Sequence, residues 1–135
     1  MDFIVKIFVN GTFDILHPGH MALFEYAKSQ GDYLKVAIDT DERIKVNKGF
    51  DRPINNQDIR RRMLECIKFI DEVSLFGTDD ELTTTVKEYG PDLMIVGSDY
   101  VNKRVIGSEY AKELFFFERD ARYSSTKIIE YINNR

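Results

Sequence analysis

Cysteine is almost absent from this chain, and its one thiol, Cys66, excludes both an intramolecular disulfide and a cysteine-built metal cluster. Its expected place is the apolar core. No apolar run approaches the ~18 residues of a membrane-spanning helix. The opening Met1-Asp2-Phe3-Ile4-Val5-Lys6 also lacks the basic stretch and apolar segment of a secretion signal. A soluble, cytoplasmic protein with no membrane partner is therefore expected. A net charge of −4 leaves no surplus of Lys and Arg for broad nucleic-acid binding, so nucleic acid is not an expected partner either. An acidic whole still has room for a basic pocket. At 135 residues with 43% hydrophobic content, the chain fits a single domain over residues 1–135, which would bury about two-thirds of its unfolded surface.

Three common fingerprints are missing as well. Without G-x-x-x-x-G-K-[ST] or G-x-G-x-x-G the chain is neither a P-loop enzyme nor a typical dehydrogenase, and without G-x-S-x-G a serine hydrolase is disfavoured. Histidine is scarce too, but its placement is informative. Both residues, His17 and His20, fall within His17-Pro18-Gly19-His20, where an apolar run ending in Gly11-Thr12-Phe13-Asp14 gives way to an amphipathic helix. A strand feeding a Gly-containing turn and a helix N-terminus is an anion site, because unpaired N–H groups and the positive end of the helix dipole converge there. Pro18-Gly19 interrupts the helical pattern, and no further His or Cys completes a ligand set, so zinc is disfavoured, although Asp14 offers one oxygen.

The rest of the pattern alternates strand and helix. Residues 4–9 read as a strand buried on both faces, and a helix follows from His20 to a stop at Gly31. Residues 34–38 form a second strand, and the polar stretch 41–55, with Gly49 and Pro53, reads as a long mobile loop. A helix over 56–67 carries Arg60, Arg61 and Arg62. Strands are expected at 73–76, 93–96 and 114–117, with helices at 79–89, ended by Gly90-Pro91, and at 124–133, capped by Ser124, Ser125 or Thr126. The alternation predicts an α/β fold with a doubly wound parallel sheet of about five strands and helices on both faces. Ligands then sit at the carboxyl ends of the strands, where residues 11–20, the loop after Ile38, residues 97–100 and the segment before Ser124 converge.

Nucleotidyl transfer to a phosphate monoester suits such an inventory. The attacking phosphate is already an anion, so no general base is needed. What is needed is neutralisation of charge on the α-phosphate and departing pyrophosphate by helix N-termini, imidazoles, Lys, Arg and usually Mg²⁺.

Gly11-Thr12-Phe13-Asp14-Ile15-Leu16-His17-Pro18-Gly19-His20 resembles the G-x-F-D-x-x-H-x-G-H signature of the cytidylyltransferase-like nucleotidyltransferases, whose fold is Rossmann-like. The likeness continues through Glu25-x-Ala27-Lys28, Gly31-Asp32-x-Leu34, Asp71-Glu72-Val73, Gly97-x-Asp99 and Ser124-Ser125-Thr126-Lys127-Ile128, covering nearly the whole chain. Two branches compete. Arg119 followed by Ser124-Ser125-Thr126 is similar to the R-T-x-G-[IV]-S-T-T signature of glycerol-3-phosphate cytidylyltransferases, with Asp120-Ala121-Arg122-Tyr123 replacing its T-x-G-[IV] portion. Lys48-Gly49-x-x-Arg52-Pro53-Ile54-Asn55, Gly97-Ser98-Asp99-Tyr100 and Ile106-Gly107-Ser108 resemble instead the adenylyltransferase domain that makes ADP-heptose from heptose 1-phosphate. The His-Pro-Gly-His form also looks like archaeal FAD synthetases, which act on FMN.

The resemblance implies an enzyme that joins CTP or ATP to a phosphorylated small alcohol or sugar, releases pyrophosphate, uses Mg²⁺ and forms a homodimer. It implies roles for individual residues too. His17, His20, Lys48 and Arg119 are the expected catalytic groups. Gly11, Thr12, Phe13, Asp14, Gly19, Lys45, Arg60, Gly97, Asp99, Ser124, Ser125 and Thr126 are expected around the nucleotide. Asp14 is the residue that would orient a histidine or a metal. A nucleotide-binding module without turnover is the alternative from another class.

Overall fold

A computed structural model describes residues 3–118, 120 and 122–134. Five strands, β1 (Lys6–Gly11), β2 (Tyr33–Asp39), β3 (Glu72–Phe76), β4 (Leu93–Gly97) and β5 (Glu113–Phe117), form one sheet in the order β3-β2-β1-β4-β5. Every pairing is parallel, so each connection must cross a face of the sheet. Helices α1 (Pro18–Ser29), α2 (Asp41–Lys48), α3 (Gln57–Glu65), α4 (Asp79–Tyr89) and α5 (Ser125–Asn133) lie in the connections and at the carboxyl terminus. Two short 3₁₀ turns, Ser98–Tyr100 and Ser108–Tyr110, link β4 to β5.

Alternation along β1 divides the core. Ile7 and Val9 point to the face where Phe24, Ala27 and Leu64 pack, whereas Phe8 points to the other, against Leu82, Val86 and Met94. Both faces are therefore covered, as the apolar strands predict. No helix of the described residues is long and apolar enough to cross a membrane.

The strand order also fixes where a ligand can sit. From β1 the chain runs outward through β2 to β3, then returns to place β4 on the opposite side of β1. At that reversal the loops after β1 and β4 diverge and leave a crevice beyond the carboxyl ends.

Three sequence expectations need correction. Residues 41–55 are not one long loop, because Thr40 caps α2 through Arg43 N, Asp41 and Glu42 suit its first turn, Lys45 and Lys48 its last, and Ile44 is buried. The helix has one buried position in eight residues, so it gives almost no hydrophobic periodicity to detect. Cys66 is exposed rather than in the core, since it caps the carboxyl end of α3. Pro18 does not interrupt α1 but opens it, at the one helical position where a missing N–H costs nothing.

Candidate active site

The loop following β1 is shaped by its first and third residues. A Cβ on Gly11 would stand 2.9 Å from the Phe13 ring, so glycine is what lets that ring fold back over the end of the strand. Phe13 itself adopts φ 51°, a left-handed backbone that side chains disfavour. Packing holds it there: the ring lies edge-on to His20 at 5.0 Å and against Phe24 at 5.0 Å. Phe13 is thus core and cleft wall at once.

The two histidines form a reciprocal cap on α1. His17 is the N-cap, its Nδ1 accepting the Gly19 amide at 3.1 Å, while His20, at the third helical position, accepts the His17 amide on Nδ1 at 3.3 Å. The rings stack with centroids 3.7 Å apart. Because each Nδ1 accepts an N–H, the neutral tautomer carries its proton on Nε2, which at His17 is shielded from solvent. The spacing His-x-x-His is the spacing of a capping box, with imidazoles in place of the usual hydroxyl and carboxylate. Gly19 is required between them, since a Cβ there would lie 2.9 Å from the His17 ring.

Asp14 and Arg60 anchor the loop from behind. The Asp14 carboxylate, 2% exposed, accepts the amides of Ile54 and Asn55 at 2.8 Å each, while Asn55 Nδ2 donates to the Asp14 carbonyl. Both oxygens thus receive backbone amides, which fixes the carboxylate against the 54–55 stretch at the base of the cleft. Arg60 departs from the sequence expectation. Its guanidinium is fully buried, donating to the carbonyls of Asn55 and Thr12 and pairing with Asp41 at 2.9 Å. It does not line the cleft. Its work is to tie the β1 loop to α2 and α3.

These elements enclose a cleft of about 530 Å³ at the crevice between β1 and β4. Gly11, Thr12, Phe13, Asp14, His17, Gly19, His20, Lys48, Gly97, Asp99, Ser124, Ser125 and Thr126 all line it. Lys45 does not, because it points to solvent from the outer face of α2. Arg119 lies outside the described residues. The carboxyl-terminal helix delivers a second N-terminus to the cleft, with Ser124 accepting the Lys127 amide as its cap. Ser125 Oγ donates to the Ile15 carbonyl at 2.6 Å and accepts the Ile15 amide at 3.1 Å, which fixes that terminus against the histidine loop. Asp120, also on the wall, is held down to a pKa of about 2 by hydrogen bonds from the Arg122 side chain and amide.

Sequence reasoning missed Asn10, Arg43, Asn47, Arg52, Arg104 and Tyr123, which also line the cleft. Arg52 stands in the Lys48–Asn55 stretch that carries the adenylyltransferase likeness, inside the region the sequence reads as a mobile loop. Tyr123 stacks beside His17 at 6.1 Å. Among the described residues no group of three or more His, Cys, Asp or Glu side chains is placed to hold a metal ion.

The sequence profile described as cytidylyltransferase-like matches residues 8–131. The chain is 42% identical over 126 residues to the bifunctional protein HldE of Helicobacter pylori strain J99, and 40% identical over 126 residues to that of Campylobacter fetus. Each match covers 93% of this chain and 27% of the relative, so the chain spans about a quarter of the length of these proteins. The crystal structure of the lipopolysaccharide core biosynthesis protein from Thermoplasma volcanium superposes with a TM-score of 0.72 at 25% identity, covering 87% of this chain and all of that one.

Proposed function

Because the chain belongs to the cytidylyltransferase-like family and is a nucleotidyltransferase, we propose that it transfers the adenylyl group of ATP to heptose 1-phosphate, releasing pyrophosphate. The observation that carries the reading is the pair of imidazoles built into the N-terminus of α1 at the sheet's reversal point. In this reaction a phosphate oxygen of the acceptor attacks the α-phosphorus, the new P–O bond forms, and the bond to the bridging oxygen of pyrophosphate breaks. The Nε2–H groups of His17 and His20, with the N-termini of α1 and α5, are donors for the charge that gathers on those oxygens. Lys48 adds a cation from α2, Asp99 and Gly97 meet the nucleoside or the acceptor, and Arg119 contributes a further cation. Mg²⁺ arrives as part of the substrate, the magnesium complex of ATP, and neutralises phosphate charge.

Adenylyl transfer is favoured over cytidylyl transfer by three stretches, Lys48–Asn55, Gly97–Tyr100 and Ile106–Ser108, that share the adenylyltransferase pattern. The HldE relatives and the lipopolysaccharide core neighbour support a sugar phosphate acceptor. CTP with glycerol 3-phosphate is the second reading, resting on Ser124-Ser125-Thr126. A homodimer is part of the proposal, and the edge strand β5 and helix α5 leave Leu114, Phe115, Tyr131 and Ile132 exposed as material for its interface.

A pyrophosphate-release assay crossing CTP, ATP, GTP and UTP with heptose 1-phosphate, glycerol 3-phosphate and FMN tests the chemistry. Turnover with ATP and heptose 1-phosphate is expected. Turnover with CTP and glycerol 3-phosphate would move the chain to the other branch, and nucleotide binding without pyrophosphate from any pair would make it a binding module. Sedimentation equilibrium checks the dimer.

A further inference from the structure

The loop between α2 and α3 brings the Arg52 guanidinium to the wall of the cleft. The Arg52 side chain is 12% exposed, and its Nε and one terminal nitrogen are shielded from solvent without a hydrogen bond. Its nearest carboxylate is Asp14, 3.6 Å from Nε, which is beyond hydrogen-bond reach. Nor can Asp14 turn toward it without loss, since its two oxygens already receive the Ile54 and Asn55 amides. Arg43, on the same wall, is different: it is paired with Asp39 at 3.1 Å and with Asp79 at 2.7 Å.

The backbone bearing Arg52 is anchored on both sides. Its own amide donates to the Gly49 carbonyl, and three residues on, Asn55 is bonded to Asp14 and receives Arg60. The base of the side chain is thus fixed while its head is left with unmet donors. Asp14 gives the guanidinium a counter-charge but no hydrogen bond, so the N–H donors at Nε and one terminal nitrogen stay unmet by the fold. A planar fork of N–H groups, held at the wall of an anion site, matches two oxygens of one phosphate.

We infer that Arg52 is a bidentate ligand for a substrate phosphate, either of the nucleoside triphosphate or of the acceptor monoester. The inference rests on the nucleotidyl-transfer reading of the cleft and adds a ligand to it. Arg52 supplies charge and orientation from the α2–α3 loop, where the histidine loop and α5 supply N–H donors from β1 and the carboxyl terminus.

The test measures binding by calorimetry, with the full chain and with R52K and R52Q, of the magnesium complex of ATP alone and of heptose 1-phosphate alone, with thermal melts of each variant. R52Q should bind one of the two probes about tenfold to a hundredfold more weakly, and R52K should fall between, keeping the charge but losing the fork. The probe affected identifies the phosphate. The melting temperature of unliganded R52Q should stay level or rise, and the ligand-induced increase should shrink. Unchanged affinity for both probes in R52Q would overturn the proposal, as would failure of the wild type to bind either. A lower melting temperature in unliganded R52Q that R52K restores would make the Asp14 pair structural and overturn it too. If R52Q does not fold, weaker binding by R52K decides in favour and wild-type binding by R52K decides against. Loss of affinity in R52Q alongside a wild type that releases no pyrophosphate would leave Arg52 a phosphate ligand while the transfer reaction fell.

Discussion

The two edges of the sheet handle polar groups in opposite ways. At the amino edge charges and hydroxyls are matched in closed sets. Tyr89 Oη donates toward the carbonyls of Ile7 and Tyr33, Tyr33 Oη and Lys35 converge on Glu72, and Asp92 accepts both the Lys6 amide and Lys112. Burial drives the Tyr89 hydroxyl far above its ordinary pKa, and the hydrogen bond to Glu72 raises that of Tyr33. At the carboxyl edge the amide oxygen of Asn10 and two nitrogens of Arg52 are buried without hydrogen bonds, Phe13 sits in a strained conformation, and imidazoles do the capping. One edge is assembled to stay shut. The other leaves buried donors and acceptors unmatched, at some cost in stability.

The contrast is broken most severely at the histidines. His17→Asn keeps a good N-cap but removes the Nε2 donor, so turnover should fall about 10²–10³-fold with the melting temperature little changed. Steady-state kinetics beside a thermal melt would show it. His17→Ala removes the cap as well and should add a loss of about 1 kcal/mol in stability, which denaturant unfolding resolves.

Arg60 sharpens the comparison, because it lies near the carboxyl edge yet belongs by its bonding to the closed kind. Arg60→Met strips the Thr12 and Asn55 carbonyls and Asp41 of their partner, so a loss of about 3 kcal/mol is expected in urea unfolding. Tyr89→Phe should cost about 1 kcal/mol at the amino edge and leave kcat untouched, as urea unfolding and a rate assay would record.

The smallest effect is the acid limb of stability. The Lys6 amide and Lys112 hold Asp92 below its ordinary pKa. At Glu72 burial raises the value, but hydrogen bonds from Lys35 and Tyr33 outweigh it, and the net shift is downward. A depressed carboxylate contributes stability that is complete above its unfolded pKa, near 4, and is lost as pH falls through the folded value. Stability should therefore drop below about pH 4. Asp92→Asn should flatten that limb while costing less than about 1 kcal/mol at pH 7, measured by unfolding across pH.

Sequence and structure agree where local signals are strong. The apolar strands, the Gly90 stop after α4 and the strand-to-helix turn carrying both histidines were all legible, and so was the edge where the cleft opens. What escaped was whatever tertiary context decides. Helix α2 is nearly all polar, so only its caps mark it. Arg60 looked like a nucleotide contact on its family match, but its side chain runs inward to Asn55 and to two partners distant in sequence, Thr12 and Asp41. Pro18-Gly19 suggested an interrupted helix because the sequence does not show that an imidazole can serve as an N-cap. Arg52 falls in a stretch read as a mobile loop, and its position near Asp14, nearly forty positions away, is tertiary.

Helix α5 contributes no buried residue, yet one of its hydroxyls is bonded twice to the backbone of Ile15, 110 positions earlier in the chain. The last helix is therefore coupled to the histidine loop by a clasp and is not embedded in the core. A clasp of that kind can open without unfolding the sheet, and Ile15, whose amide it protects, would exchange its hydrogen at the rate of opening. Any partner, tag or fused domain that pulls on the carboxyl end thus has a mechanical route to the histidines.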